Sequence, residues 1–470
     1  MARPKSTVEV IPSASRLIHS LRDVGYDFVH AVADLVDNSV AANASEIAID
    51  MRFDGEDSWL RIADNGCGMS GSEINEAMRF GTDRDYDTED LGKFGLGLKT
   101  ASLSQCLRLT VASRIDPSSR RIEVRQWDIE HVKTTNKWEI INIPADERSS
   151  ILVDPLQERV GTVVLWDRLD RVLDYKVPWG ERARSSFLQI IEQLDLHLGM
   201  VFHRFLSGEA RRRKKLTITI NGTTVEPWDP FARDEKATIA YADHQFEVQE
   251  NDGRGLVGYN AFVLPHQDYF SSMKAFNRCA GPAKWNFQQG FYIYRADRMI
   301  QSGGWCRLRT SDEHTKLARI ALDFRTDLDS AFELNISKAR VSLPAGLRNQ
   351  LRSPVEELVK HARKVYGSGV KTSFQSPRNG ASGSTGGAPA AVPPSRPYPP
   401  SGAEGKMFLA EKAGALALAE RKGISADAQR NRIGRALESA AGRVGETGAL
   451  NRIRKALRED DPEMANDIGW

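Results

Sequence analysis

Apolar and polar positions alternate along this chain with two different periods. In YDFVHAVADLVDNSVAANA, Phe28, Val32, Leu35 and Val36 fall on one stripe and Asp34, Asp37, Asn38 and Ala41 on another, which predicts a helix. The period then shortens to two in EIAIDMRF, where Ile47, Ile49, Met51 and Phe53 alternate; Asp54 and Gly55 turn the chain, and WLRIAD forms a returning strand. The polar stretch GTDRDYDTED has no apolar periodicity and is expected to be a loop that closes over a ligand. Leu98 to Cys106 reads as a helix behind a glycine-rich start, and Thr162 opens the apolar strand of GTVVLWDRL.

Farther on, Leu216, Ile218 and Ile220 alternate in KKLTITINGTTVEPWDPF, which is expected to open a second region after a boundary near 205–215. That region is expected to close with LRSPVEELVKHARKVYG, where Val355, Leu358, Val359 and Ala362 recur at helical spacing before a terminating glycine, Gly367. From 371 to 405, 26 of 35 residues are Gly, Ala, Ser, Thr or Pro, a linker composition that buries too little apolar surface to offset ordering. The Ala- and Leu-rich segment at 406–470, with interleaved arginines, predicts a tethered helical module.

Composition narrows the class. At 470 residues and 40% apolar content the chain suits a multi-domain globular protein. Its apolar runs are short and MARPKSTVEV has no hydrophobic stretch, so neither a membrane span nor a signal peptide is expected, and a cytoplasmic location follows. Four scattered cysteines exclude a disulfide framework and a zinc cluster. Sixty-five basic against 63 acidic residues give a net charge of +2, so a polyanionic partner must be sought locally. The run Arg211 to Lys215 is either a solvated loop or helix end, or a phosphate contact.

Candidate chemistry lies in four elements. Asp34, Asp37 and Asn38 share a helix face: an amide oxygen suits a hard divalent ion, and a carboxylate one turn away is placed to orient or deprotonate water, although a solvated helix shows such a face too. In DNGCGM, Asp64 stands at a strand end beside Gly66 and Gly68, either as an acceptor for the exocyclic amine of adenine or in a tight turn. In GKFGLGLKTASLSQC, Gly92, Gly95 and Gly97 let main-chain amides converge on phosphate oxygens at a helix start, with Lys99 as a further cation. The Thr162 hydroxyl is positioned by its strand to join Asp64 and a water at the adenine edge.

In this order the four elements resemble the N-box, G1, G2 and G3 motifs of the GHKL ATPases, the superfamily of gyrase B subunits, heat-shock ATPases, histidine kinases and MutL, with MORC-like bacterial proteins nearest in pattern. The resemblance implies an α+β fold: a GHKL α/β sandwich over residues 1–210, an S5-like transducer over 211–370, then the linker and tail. It implies ATP and Mg2+ as ligands, magnesium at Asn38, adenine recognition by Asp64 with Thr162, further nucleotide binding at Gly66, Gly68, Met69 and Lys99, and phosphate binding by Gly92, Lys93, Phe94, Gly95, Leu96 and Gly97. Asp34 occupies the position of a general base that is usually glutamate, one methylene longer, so slow hydrolysis is expected. QGFYIYRADRMIQSGGW and FELNISKARVSLP resemble transducer segments, with Lys338 as the lysine that reaches the terminal phosphate. Arg295 and Arg298 are expected to buttress that region or contact a partner. The implied activity is an ATP-operated homodimeric clamp on DNA, in DNA transactions or phage defence, with cutting left to a partner effector protein. A chaperone-like ATPase and a non-catalytic nucleotide-gated scaffold are the alternatives.

Overall fold

The short period of EIAIDMRF and WLRIAD becomes a pair of antiparallel strands, β1 (Glu46–Arg52) and β2 (Trp59–Asp64), at the heart of a mixed α+β protein. The structure is a computed structural model that describes residues 12–23, 26–80, 97–173, 177–250, 253–334 and 341–372. All of the elements below belong to one compact unit.

Among the described residues the first sheet has eight strands. Besides β1 and β2 these are β3 (Arg108–Arg114), β4 (Glu123–Asp128), β5 (Ile141–Asn142), β6 (Gly161–Asp167), β7 (Thr217–Ile220) and β8 (Thr223–Thr224), in the order β5-β4-β3-β6-β2-β1-β7-β8. Its central strands are covered on both faces. Leu60, Ile62, Leu109, Val111, Val164 and Trp166 join the main core with helix residues, while Ala63, Ala112, Val163 and Leu165 pack with Leu152 and Leu156 on the other side. Burial on both faces explains why GTVVLWD reads as a continuous apolar run, not an alternating one.

Four helices contribute to the main core on one face of the sheet: α1 (Ala14–Arg22), α2 (Phe28–Ala41), α3 (Gly71–Met78) and α4 (Gly97–Leu103). A reciprocal cap starts α3, with the Ser70 hydroxyl accepting from Glu73 N (3.3 Å) and the Glu73 carboxylate from Ser70 N (2.7 Å). α2 is no surface helix. Its apolar stripe is buried, and so are Asp34 and Asp37 on the other stripe, because α4 and the long helix Glu181–Val201 pack against it.

Two boundaries differ from expectation. Leu216, Ile218 and Ile220 do alternate, yet β7 runs parallel to β1, from Glu46 opposite Thr217 to Ile49 opposite Ile220. The segment expected to open the second region therefore completes the first sheet, past residue 210. Alternation shows that a strand has a buried face but does not say which sheet edge will receive it. Asn221 and Gly222, both at positive φ (48° and 79°), then turn the chain into β8. At the other end, the helix Ala345–Thr372 runs through Gly367 and into the first residues of the expected linker. Tertiary packing of its buried Leu347, Leu351, Val355, Leu358, Val359 and Ala362 outweighs the glycine's weak preference to stop. The remainder of the linker and the module at 406–470 lie outside the described residues.

The second sheet contains β9 (Ile239–Ala240), β10 (His244–Glu250), β11 (Gly253–Val263), β12 (Gly290–Arg295), β13 (Arg298–Ser302) and β14 (Ala318–Phe324). Its order is β10-β11-β14-β12-β13, with β9 beside β11. A polar seam joins it to the first layer. Arg204 pairs with Asp297 (3.1 Å) and Asp323 while its guanidinium lies over the Tyr294 ring, and His203 shares a hydrogen bond with the Tyr294 hydroxyl (2.9 Å). Among the described residues no helix is long and apolar enough to cross a membrane.

Candidate nucleotide site

Strand register assembles one end of the site. Asp64, the last residue of β2, sits opposite Thr162 of β6, which sits opposite Ser113 of β3, so three polar side chains line up at neighbouring strand ends. Asp64 Oδ1 accepts from Gly66 N (2.9 Å) and Thr162 N (3.2 Å), and Oδ2 accepts from Ser39 Oγ (2.8 Å). Burial, the largest influence, pushes this carboxyl above its ordinary range, while the three hydrogen bonds hold it down.

Counting donors shows what remains for a ligand. Ser113 Oγ donates to Gly161 O (2.9 Å) and accepts from Met69 N (2.8 Å). Its remaining acceptor position receives the Thr162 hydroxyl, 3.0 Å away. Thr162 Oγ1 thus acts as a donor within the protein and keeps its lone pairs for an incoming donor. Gly68, at φ +70°, lets the turn press against β3: a Cβ there would lie 2.2 Å from Arg114 O. Ser39 and Ser113 were not singled out from the sequence. Ser39 had a local signal, since it follows Asn38 on the same helix; Ser113 had none, because only strand pairing brings it to Thr162.

The other end of the site is one and a half turns back along α2. Asp34 lies about 7.5 Å before Ser39 on the helix axis. Its Oδ2 accepts from the Tyr26 hydroxyl (3.0 Å) and lies 3.9 Å from where a Cβ on Gly97 would stand. The carboxylate therefore faces the first residue of α4, the end of the glycine-rich segment. Asn38, one turn on, is exposed. Since its neighbour Ser39 bonds Asp64, α2 carries the acid, the amide and the contact to the strand-end aspartate together.

Arg298 departs from expectation. It does not merely buttress its own region: its Nε donates to Asp37 Oδ1 (2.9 Å), with Oδ2 at 2.8 Å, and its Nη2 lies 3.8 Å from Asp34 Oδ1. Arg295 does buttress the second sheet, through a buried fork to Asp329 (2.7 and 2.9 Å). Lys99 is buried, and its Nζ donates to Ala77 O at the end of α3 (3.0 Å); burial lowers its pKa to about 8. Of the basic run, Arg213 donates to Val40 O (3.2 Å) and Asn43 Oδ1 (3.0 Å), a cation on the negative end of α2. Gly92, Lys93, Phe94, Gly95, Leu96, the loop at 81–90 and Lys338 lie outside the described residues.

Comparison with known proteins covers the same elements. Residues 26–162 match the family described as histidine kinase-, DNA gyrase B- and HSP90-like ATPases. The chain is 29% identical over 204 residues to the DNA mismatch repair protein MutL of Haemophilus influenzae, a match to 42% of this chain and 28% of that protein. MutL of Erwinia tasmaniensis is 28% identical over 210 residues (43% and 29%), and MutL of Salmonella arizonae 29% identical over 211 (43% and 29%). The chain thus spans less than a third of the length of these relatives. The matched segment runs from Tyr26 to Thr162, so it is this part of the chain that is similar to the GHKL ATPases.

Proposed function

We propose that the chain binds ATP with magnesium, hydrolyses it slowly, and uses the cycle to open and close a homodimer that acts on DNA. The observation that carries this reading is the spacing along α2: Ser39 bonds the buried carboxylate acceptor Asp64, and Asp34, five residues earlier on the same helix, lies beside the glycine that starts α4, Gly97. Asp64 receives the adenine amine, with Thr162 Oγ1 as a second acceptor at the same edge. A polar site built this way rejects bases that lack the matching donor, because its own buried groups are then left unpaired.

The exposed Asn38 amide fits magnesium, a hard ion that takes oxygen ligands and shares them with phosphates and water. When bound, the ion supplies charge neutralisation on the phosphates. Asp34 accepts a proton from the attacking water. The Tyr26 hydroxyl occupies one lone pair of Oδ2, so the carboxylate orientation is set before nucleotide arrives. Being shorter than the family's usual glutamate, it stands farther from the water, which supports slow turnover suited to a switch. Phosphate contacts at Gly92 to Gly97 and at Lys338 follow from the family resemblance, as does the assignment of the second sheet as a MORC-like transducer.

DNA is favoured over a protein client because the relatives in hand are DNA mismatch repair proteins. A nucleotide-gated scaffold without hydrolysis is the second reading, favoured by the shortened acid and its engagement by Tyr26 and Arg298. Light scattering behind size-exclusion chromatography, with and without a nonhydrolysable ATP analogue, magnesium and DNA, tests the clamp. A dimer that forms with analogue and retains DNA in a salt-sensitive way is expected. Absence of saturable adenine-nucleotide binding in magnesium sinks the proposal. Steady-state hydrolysis by the native chain, Asp34→Ala and Asp34→Glu separates enzyme from scaffold.

A further inference from the structure

The assignment of Asp34 as base leaves two further buried charges at α2 without a role in the reaction, Asp37 of the same helix and its partner Arg298. Arg298 comes from β13, 261 positions along the chain from Asp37 and in the other sheet. We infer that Arg298 is a positioning residue for Asp34, and that through it the β12–β13 hairpin sets the orientation of the α2 carboxylate. This rests on the reading of Asp34 as the base.

The geometry is that of a rigid plane held at two points. Arg298 Nε engages both oxygens of Asp37, at 2.9 and 2.8 Å, and this fixes where Nη2 lies relative to Asp34 Oδ1, 3.8 Å away. The second distance is beyond a hydrogen bond, so the contact is a charge attraction. Tyr26 holds the opposite oxygen, Oδ2, by a hydrogen bond of 3.0 Å. A carboxylate with a phenol on one oxygen and a guanidinium toward the other has one preferred rotation about its Cβ–Cγ bond. All three charged side chains are at most 3% exposed, so water and salt screen the attraction little.

The hairpin that carries Arg298 is itself tied to the first layer. Asp297, in its turn, pairs with Arg204, and Tyr292, Tyr294 and Met299 are part of the same core as α2. A displacement of the hairpin therefore moves Asp37 and the charge beside Asp34 together. The second sheet has a direct mechanical route to the hydrolytic acid, separate from any contact with nucleotide. This route also compensates for the missing methylene: a short acid depends more on orientation, and a misplacement of about 1 Å can cost ~100-fold in rate.

The test compares Arg298→Met, Arg298→Lys and the paired variant Asp37→Asn/Arg298→Met in the full chain. It measures melting temperature, affinity for an ATP analogue with magnesium, kcat and KM, with Asp34→Ala alongside. Arg298→Met is expected to lose stability because the buried Asp37 loses the guanidinium it lies against. The paired variant removes both charges and is expected to regain the native melting temperature and native analogue affinity, while kcat stays down by ~10- to 100-fold at unchanged KM. Arg298→Lys, which keeps the charge but not the fork, is expected to fold and to fall between the two in kcat. Native kcat in the paired variant or in Arg298→Lys overturns the inference, since Arg298 then only neutralises Asp37. If Asp34→Ala turns over as fast as the native chain, the base assignment itself fails, and the inference with it.

Discussion

Replacing Asp64 by asparagine separates the stability of the strand-end site from its affinity. The folded-state pKa of Asp64 is raised above its ordinary value of 3.8, chiefly by burial. The folded protein thus binds more protons than the unfolded chain between 3.8 and the raised value, and stability falls as pH rises through that window. At neutral pH the ionised carboxylate is a standing cost to the fold. A neutral amide in its place would remove that cost while keeping an oxygen as acceptor for the Gly66 and Thr162 amides. The Ser39 hydroxyl loses one acceptor but still reaches Leu35 O at 3.4 Å, a change of about 1 kcal/mol. The melting temperature of Asp64→Asn is therefore expected to equal or exceed the native value. Binding moves the other way. On the proposed contact, the adenine amine loses a charged acceptor and meets a second donor, which is expected to cost about 1.5–3 kcal/mol, or roughly a 10- to 150-fold rise in Kd. Isothermal titration with an ATP analogue in magnesium, beside differential scanning calorimetry, reads both quantities. An unchanged Kd in a folded Asp64→Asn protein refutes the adenine assignment, and a large drop in melting temperature refutes the argument about charge burial.

Other perturbations probe the surrounding frame. Gly161 has φ +145° and a Cβ there would stand 2.0 Å from Asp64 O, so Gly161→Ala is expected to cost at least ~2 kcal/mol in urea denaturation; a native midpoint contradicts this. Arg295→Met takes the guanidinium fork away from the buried Asp329, which is expected to cost about 3–5 kcal/mol, and Asp329→Leu added to it should recover most of the loss. His197 and His203 have pKa values depressed by burial to about 3, from an ordinary 6.5. The unfolded chain takes up these protons first, so stability is lost as pH falls from 6.5 toward 3; the melting temperature should decline across that range, and less so in His197→Leu. A flat profile in the native chain excludes the buried neutral imidazoles.

How far the sequence reached can be judged element by element. The helix over Phe28–Ala41 and the strands Trp59–Asp64 and Gly161–Asp167 were legible, because each has a clear period or a compact apolar run. Asp34, Asn38, Asp64 and Thr162 could be named as candidates from residue chemistry and family pattern. The hydroxyls and charges that hold them were not legible. Tyr26, Ser39 and Ser113 look ordinary in the sequence and Arg298 reads as serving its own region, while their partners lie 8, 25, 49 and 261 positions away.

Periodicity along a chain specifies which side of an element is buried, since helical and extended backbones repeat at 3.6 and 2 residues. By itself, the sequence determined that an amphipathic helix with two acids and an amide precedes a strand ending in aspartate. Only the tertiary structure decided that β7 would extend the first sheet beside β1, that Ser113 would meet Thr162, and that a hairpin of the second sheet would deliver Arg298 to α2. Those choices are made by packing and pairing between distant segments, whose energies depend on the partner as much as on the segment.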